Sequence, residues 1–113
     1  MNMKATITSI ELKGPLSFFL LSARALKIIR QLKSTECVAF KKQGFWTTHY
    51  TMTLWKNEEE LKKFASSGAH LEAMREGGKI AKEIRTITID AEALPSWKEA
   101  REWLRQGKVI SYH

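Results

Sequence analysis

Hydrophobic residues follow two different periods along the chain, and the change of period separates predicted strands from predicted helices. A period of two, rich in β-branched residues, predicts strands at Ala5–Leu12, Glu36–Lys41, Trp46–Trp55 and Glu83–Asp90, with a short last strand at 109–112. A spacing of three or four predicts helices at Ser17–Leu32, from Asn57 onward, and at Trp97–Arg105.

Turn and capping residues mark where these elements begin and end. Asn57 and Ser96 each stand three residues before a glutamate, which is the capping-box spacing of a helix N-terminus. A tight turn is predicted at 42–44, because the glycine that ends this stretch can adopt positive φ. Ser66–Gly68 interrupts the second helix, since a glycine inside a helix costs about 1 kcal/mol relative to alanine. We therefore expect a kink directly before His70.

The order of elements predicts an α+β fold. A β-α-β-β-α-β sequence with right-handed crossovers gives a four-stranded antiparallel sheet with two helices on one face, the ferredoxin-like arrangement. A third helix and a short strand are added at the C-terminal end. The 113 residues, 1–113, are enough for one such domain.

The strand Trp46–Trp55 has two unlike faces. The more apolar face, which we expect in the core, carries Thr48, Tyr50, Met52 and Leu54. The other face carries Thr47, His49, Thr51, Thr53 and Trp55. Hydroxyl and aromatic groups suit a polar cavity or a sheet-to-sheet contact better than a dry core. We therefore expect this second face to meet the same face of a second subunit.

Composition limits the classes of function. No apolar run approaches the roughly 18 residues of a membrane span, and no signal peptide is apparent, so we expect a cytoplasmic protein. The single cysteine, Cys37, forms no internal disulfide and reads as a small buried strand residue. The net charge of +7 is concentrated in residues 1–50, which carry eight Lys and Arg against two acids. This charge favours solubility over nucleic-acid binding, because dense basic runs and recognition motifs are missing.

The segment from Phe45 to Met74 carries a resemblance to a known family. FWTTHYTMTLW, an acidic helix start, Phe64 and the string SGAH before Ala73 and Met74 resemble the small dimeric α+β-barrel proteins of the antibiotic-biosynthesis-monooxygenase type. Within that group the segment is most similar to spheroidene monooxygenase and its small uncharacterised relatives. With SARALKIIRQLKST before the second strand, the likeness covers about residues 17–90.

The resemblance implies a homodimer whose two sheets form a barrel, with a pocket between each sheet and its helices. It also implies a monooxygenase-like activity on a small hydrophobic or aromatic molecule. Spheroidene monooxygenase contains haem, so the resemblance points to haem as a cofactor with His70 as its ligand, although some members of the wider group use no cofactor. A non-catalytic ligand-binding or regulatory module on the same fold is the alternative.

Two histidines are the candidate catalytic residues. His70 can ligate haem or act as an acid or base near neutral pH, or it can simply stabilise the kink by hydrogen bonding. His49 can serve as a base in the pocket or as a hydrogen-bonding residue at the dimer interface. The three histidines of the chain lack zinc-ligand spacing, so no metal site is predicted.

The candidate ligand-binding residues are aromatic, apolar or basic. They are Phe18, Arg24, Trp46, Tyr50, Met74 and Arg85. Aromatic side chains near the ends of elements suit the lining of a pocket for a flat ligand, whereas Trp55 and Phe64 are expected in the core. Arg24 and Arg85 can receive a carboxylate, although solvated surface charge is the alternative for both.

Overall fold

The computed structural model describes residues 3–33, 35, 37–45, 47–65 and 81–111. For residues 15–21, 33 and 45 it describes the backbone alone. Its elements in chain order are β1 Lys4–Leu12, α1 Pro15–Lys33, β2 Cys37–Phe45, β3 Thr48–Trp55, α2 Glu58–Ala65, β4 Ala81–Asp90, α3 Trp97–Leu104 and β5 Lys108–Ser111. None of the helices in this part of the chain is both long and apolar enough to cross a membrane.

The strands form one antiparallel sheet in the order β2-β3-β1-β4-β5. The connection from β1 to β2 passes over β3, and β5 extends the sheet beyond β4. This arrangement confirms the predicted α+β, ferredoxin-like fold with an added C-terminal helix and strand.

Strand register defines the two faces of the sheet. Ile7 lies opposite Met52 and Ile87, whereas Thr8 lies opposite Thr51 and Thr86. Because alternate residues of a strand point to opposite faces, these two rows belong to different faces. The apolar face carries Ala5, Ile7, Tyr50, Met52, Leu54, Ile87 and Ile89. The hydroxyl face carries Thr6, Thr8, His49, Thr51, Thr53, Thr86 and Thr88.

Helix α3 covers the apolar face. Ile7 and Met52 are fully buried and pack against Ala100 and Leu104 of α3. The helix begins with a capping box in which Ser96 Oγ accepts from Glu99 N, and the Glu99 side chain accepts from Ser96 N. The spacing of its apolar residues and this cap confirm the helix predicted from the sequence.

Helices α1 and α2 pack at one end of the hydroxyl face. Leu32 of α1 and Phe64 of α2 enclose the fully buried Trp55, and the rings of Trp55 and Phe64 lie 5.1 Å apart. Trp55 Nε1 donates to Thr53 Oγ1 at 2.9 Å, so the buried indole keeps a hydrogen-bond partner. The predicted core positions of Trp55 and Phe64 are confirmed.

This packing corrects the face assigned to the helices. The face expected to meet a second subunit is the one on which α1 and α2 lie, at its Trp55 end. The physical reason is that the C-terminal helix already buries the more apolar face. The hydroxyl face is therefore the sheet face that lies next to α1 and α2.

The predicted turn at 42–44 is wrong. Strand β2 continues to Phe45, and Lys42, Gln43 and Gly44 pair with Thr51, Tyr50 and His49 of β3. Pairing along the neighbouring strand outweighs the local turn propensity of a lysine, glutamine and glycine. Gly44 is needed for a different reason, because a Cβ there would lie 2.5 Å from His49 Nδ1 and 2.8 Å from His49 Cα.

Candidate functional site

The structure divides the predicted site residues between the two faces of the sheet. Tyr50 and Arg85 lie together on the apolar face, both opposite Ser9. His49 lies on the hydroxyl face, and Arg24 lies on α1, which packs against that face. Phe18 belongs to α1, where the structure describes its backbone alone, so its assigned role stays a prediction. Trp46, His70 and Met74 lie outside the described residues, so their assigned roles stay predictions.

Paired threonines cross the middle of the hydroxyl face. Thr6 Oγ1 and Thr88 Oγ1 are 3.0 Å apart, and Thr8 Oγ1 and Thr86 Oγ1 are 3.1 Å apart. Each hydroxyl both donates and accepts, so such a pair keeps hydrogen-bonding capacity toward a further group. The face therefore offers methyl groups and hydroxyl groups side by side.

The hydroxyl face is only partly covered. Thr8, Thr53 and Thr86 are half-buried, and Thr51 and Thr88 are exposed. A sheet face that carries crossover helices is normally buried and apolar along its length. Among the described residues, the dry core on this face lies at the Trp55 end.

His49 stands at the other end of the hydroxyl face. It pairs with Ile10 of β1 and with Gly44 of β2, and its side chain is half-buried. The close approach of Gly44 sets the imidazole against the backbone of β2. His49 therefore lies at the end of the hydroxyl face that is farthest from Trp55.

Arg24 is half-buried, which disfavours the alternative of a fully solvated surface charge. It precedes Ile28 by four residues, and Ile28 packs on the Trp55 core. Gln31, on the same side of α1, donates from Nε2 to Phe64 O at 3.4 Å. Nη1 of Arg24 is shielded from solvent. The guanidinium therefore lies on the side of α1 that is turned toward α2 and the sheet.

A cavity of about 270 Å³ opens on the apolar face, at the C-terminal end of α3. Its lining includes the predicted residues Tyr50 and Arg85, together with Arg101 of α3 and Arg105, the C-cap residue of that helix. The Arg101 guanidinium lies 5.5 Å from the centre of the Tyr50 ring, a cation–π distance. We name this space the arginine cavity.

The sequence analysis did not identify Arg101 and Arg105, which line this cavity. Arg101 follows Trp97 by four residues, and the rings of Trp97 and Tyr50 are 6.4 Å apart. That spacing was a usable signal, because residues four apart share one side of a helix. The partner strand could not be read from the spacing alone.

Cys37 is a residue of β2, as predicted, but it is half-buried rather than buried. Burial raises the pKa of its thiol above the ordinary value, and its Sγ donates to Ala39 O at 3.2 Å. A raised pKa lowers the thiolate fraction at neutral pH, which disfavours a nucleophilic role for Cys37.

Metal-binding clusters are absent from the part of the chain that the structure describes: no three His, Cys, Asp or Glu side chains converge there. The candidate haem ligand, His70, lies outside that part. Haem binding therefore stays a prediction of the resemblance.

Comparisons with known proteins agree on the fold. A proposed antibiotic biosynthesis monooxygenase from Caulobacter crescentus superposes with a TM-score of 0.69 over 81% of this chain and 92% of its own, at 13% identity. A second such protein, from Nitrosomonas europaea, gives 0.68 over 80% and 91%, at 12% identity. This chain has the fold of the antibiotic-biosynthesis-monooxygenase-like proteins.

Other proteins share this monooxygenase-like fold. A Mycobacterium tuberculosis protein superposes with a TM-score of 0.72 over 83% of this chain and 99% of its own, at 12% identity. No family model and no curated protein matches the sequence. At identities this low the comparison establishes the fold alone, and the finer likeness to spheroidene monooxygenase stays a prediction.

Proposed function

We propose that this chain is a monooxygenase-like protein that binds a small hydrophobic or aromatic molecule between α1 and the hydroxyl face. The observation that carries the proposal is the set of half-buried and exposed threonines on the hydroxyl face, in a domain with a monooxygenase-like fold. We name this set the threonine floor; its members are Thr6, Thr8, Thr51, Thr53, Thr86 and Thr88. A face with no ligand to accommodate would be expected to close as a dry core along its whole length.

The chemistry of the floor fits a flat, mainly apolar ligand with one or two polar substituents. Threonine methyl groups pack on an apolar ring, while the paired hydroxyls at 3.0 and 3.1 Å offer donors and acceptors to a substituent. His49 is the proposed acid or base at one end of the floor. Arg24 is the proposed partner for a developing oxyanion or a carboxylate.

The other predicted residues complete the proposal. Phe18, Trp46 and Met74 are the proposed apolar lining, and the protein is proposed to work as a cytoplasmic homodimer. Light scattering tests the oligomeric state directly. A strictly monomeric protein would contradict the barrel of two sheets.

A test of function uses 1-naphthol as the probe and measures binding and oxygen uptake on the same protein. Monooxygenation places one atom of O₂ in the product and reduces the other to water, so the assay is run with and without ascorbate as a source of two electrons. Incorporation of label from ¹⁸O₂ into the product identifies the reaction. Binding without oxygen uptake would favour the non-catalytic module instead.

Two variants separate the faces in this assay. His49→Gln removes the proposed acid or base and should lower the rate of oxygenation by about 10²-fold or more, with binding largely kept. Trp103→Phe, at a side chain of α3 that is 39% exposed on the other side of the sheet, is the control and should leave the rate unchanged. Equal effects of the two substitutions would contradict the placement of the site.

Haem binding has its own test. Protein mixed with hemin should show a shifted Soret band, and His70→Ala should abolish the shift while His49→Ala keeps it. An unshifted band, or a shift that His70→Ala leaves intact, would remove haem from the proposal without affecting the fold.

A further inference from the structure

We propose that the arginine cavity is a second binding site, which takes a small aromatic carboxylate. The cavity lies on the apolar face, on the opposite side of the sheet from the proposed monooxygenase-like pocket. The inference therefore does not rest on the proposed function, and either can fail alone.

The position of the cavity follows from three successive rows across β3, β1 and β4. The first row is Met52, Ile7 and Ile87, and its first two members are fully buried. The next row on the same face is Tyr50, Ser9 and Arg85. The third is Thr48, Glu11 and Glu83. The sheet thus changes from dry core to polar cavity within two residues, and an arginine stands at the boundary.

Two of the guanidiniums are held in place by neighbouring side chains. Arg85 Nη2 lies 3.3 Å from Glu83 Oε1. Arg101 Nη2 donates to Gln43 Oε1 at 3.2 Å while the guanidinium rests on the Tyr50 ring. A guanidinium carries five N–H donors in a rigid fork, so each contact leaves further donors for a ligand.

The charges around the cavity favour an anion. Arg85, Arg101 and Arg105 line it together with Glu11 and Glu83, which leaves a positive excess. Among the described residues, Arg105 has no carboxylate within ion-pair distance, and the Tyr50 hydroxyl has no hydrogen-bond partner. Both groups are therefore available as donors at the cavity wall.

The volume of the space is large enough for a small aromatic anion. About 270 Å³ equals the liquid volume of roughly nine water molecules at about 30 Å³ each. A single ring bearing one carboxylate is of this size. A planar carboxylate accepts two parallel hydrogen bonds from a guanidinium fork, and its ring can lie beside Tyr50.

The test is a calorimetric titration of the full chain with benzoate at low ionic strength, where surface charge is least screened. Benzamide, of the same shape without the charge, and inorganic phosphate, of similar charge without the ring, are titrated in parallel. We expect benzoate to bind more tightly than either. Phosphate binding more tightly than benzoate, or benzamide binding equally well, would overturn the assignment to an aromatic carboxylate.

Two substitutions of exposed arginines locate the binding. Arg105→Gln should weaken benzoate binding about tenfold or more, because a hydrogen bond to a charged group is lost. Arg30→Gln changes the net charge equally on the exposed side of α1 and should change the affinity less than about twofold. Equal affinities of the two variants, or no benzoate binding by the parent protein at millimolar concentration, would refute the site.

Discussion

Replacing Gly44 by alanine tests the close packing of β2 against His49. In the structure a Cβ at this position would stand 2.5 Å from His49 Nδ1, 2.8 Å from His49 Cα and 2.9 Å from His49 Cγ. Real Cβ atoms do not approach other heavy atoms so closely, and one of the three contacts is to backbone. The side chain of His49 and the strand itself must therefore both move.

The expected cost follows from two opposing terms. Overpacking of this kind costs about 1–3 kcal/mol. Alanine also restricts the unfolded chain, which returns about 0.4–1 kcal/mol. The net destabilisation should be about 1–2 kcal/mol, or roughly 4–8 °C in Tm for a domain of this length.

Urea unfolding followed by tryptophan fluorescence, at one fixed protein concentration, measures this change. Gly14→Ala is the matched control, because a Cβ there meets nothing within 4 Å. It should be neutral or slightly stabilising. Adding His49→Ala to Gly44→Ala removes two of the three short contacts and should restore part of the lost stability. Equal unfolding midpoints for Gly44→Ala and Gly14→Ala would refute the reasoning.

Three further predictions concern the cores, the cap and the thiol. Trp55→Ala should lower the free energy of unfolding by about 3–5 kcal/mol, because this side chain is fully buried. Trp103→Ala, at a side chain that is 39% exposed, should lower it by less than about 1 kcal/mol. Similar losses for the two variants would contradict the assigned core. Ser96→Ala should cost about 1 kcal/mol by thermal unfolding, and Glu99→Gln, which keeps the capping geometry, should cost less. Because burial raises the pKa of the Cys37 thiol, iodoacetamide at pH 8 should alkylate the folded protein more slowly than the urea-unfolded chain. For the same reason the free energy of unfolding should fall as pH rises above the pKa of the unfolded thiol. Equal alkylation rates of the folded and unfolded chains would contradict the burial.

Local signals predicted α3 well. Its start is fixed by Ser96 and Glu99, which are three residues apart, and its buried side by Ala100 and Leu104. Interactions between near neighbours determine both features, so the sequence carries them without reference to the rest of the fold.

Non-local contacts explain the wrong turn. Residues 42–44 have the composition of a turn, yet they continue β2 because β3 offers Thr51, Tyr50 and His49 as pairing partners. Strand pairing depends on a segment distant in the fold, and intrinsic propensity is a weak guide against it.

The candidate site was predicted only in part, because its position also depends on contacts between segments that are distant in the sequence. The alternation of β3 separated Tyr50 from His49 correctly, and the structure keeps them on opposite faces. Which helix covers which face depends on the path of the whole chain, so the sequence pattern assigned α1 and α2 to the wrong face. For Arg24 the sequence left open a ligand-binding role or a solvated surface charge, and its helix position beside Ile28 turns it inward.

The most direct test of the proposed binding site on the hydroxyl face is a titration of threonine-methyl-labelled protein with 1-naphthol, followed by NMR. Thr8, Thr53 and Thr86 lie on the hydroxyl face, and Thr48 lies on the apolar face as an internal reference. The account predicts shifts of the first three methyl signals while the Thr48 signal stays in place. A shift confined to Thr48, or no shift at any threonine methyl, would contradict a binding site between α1 and the hydroxyl face.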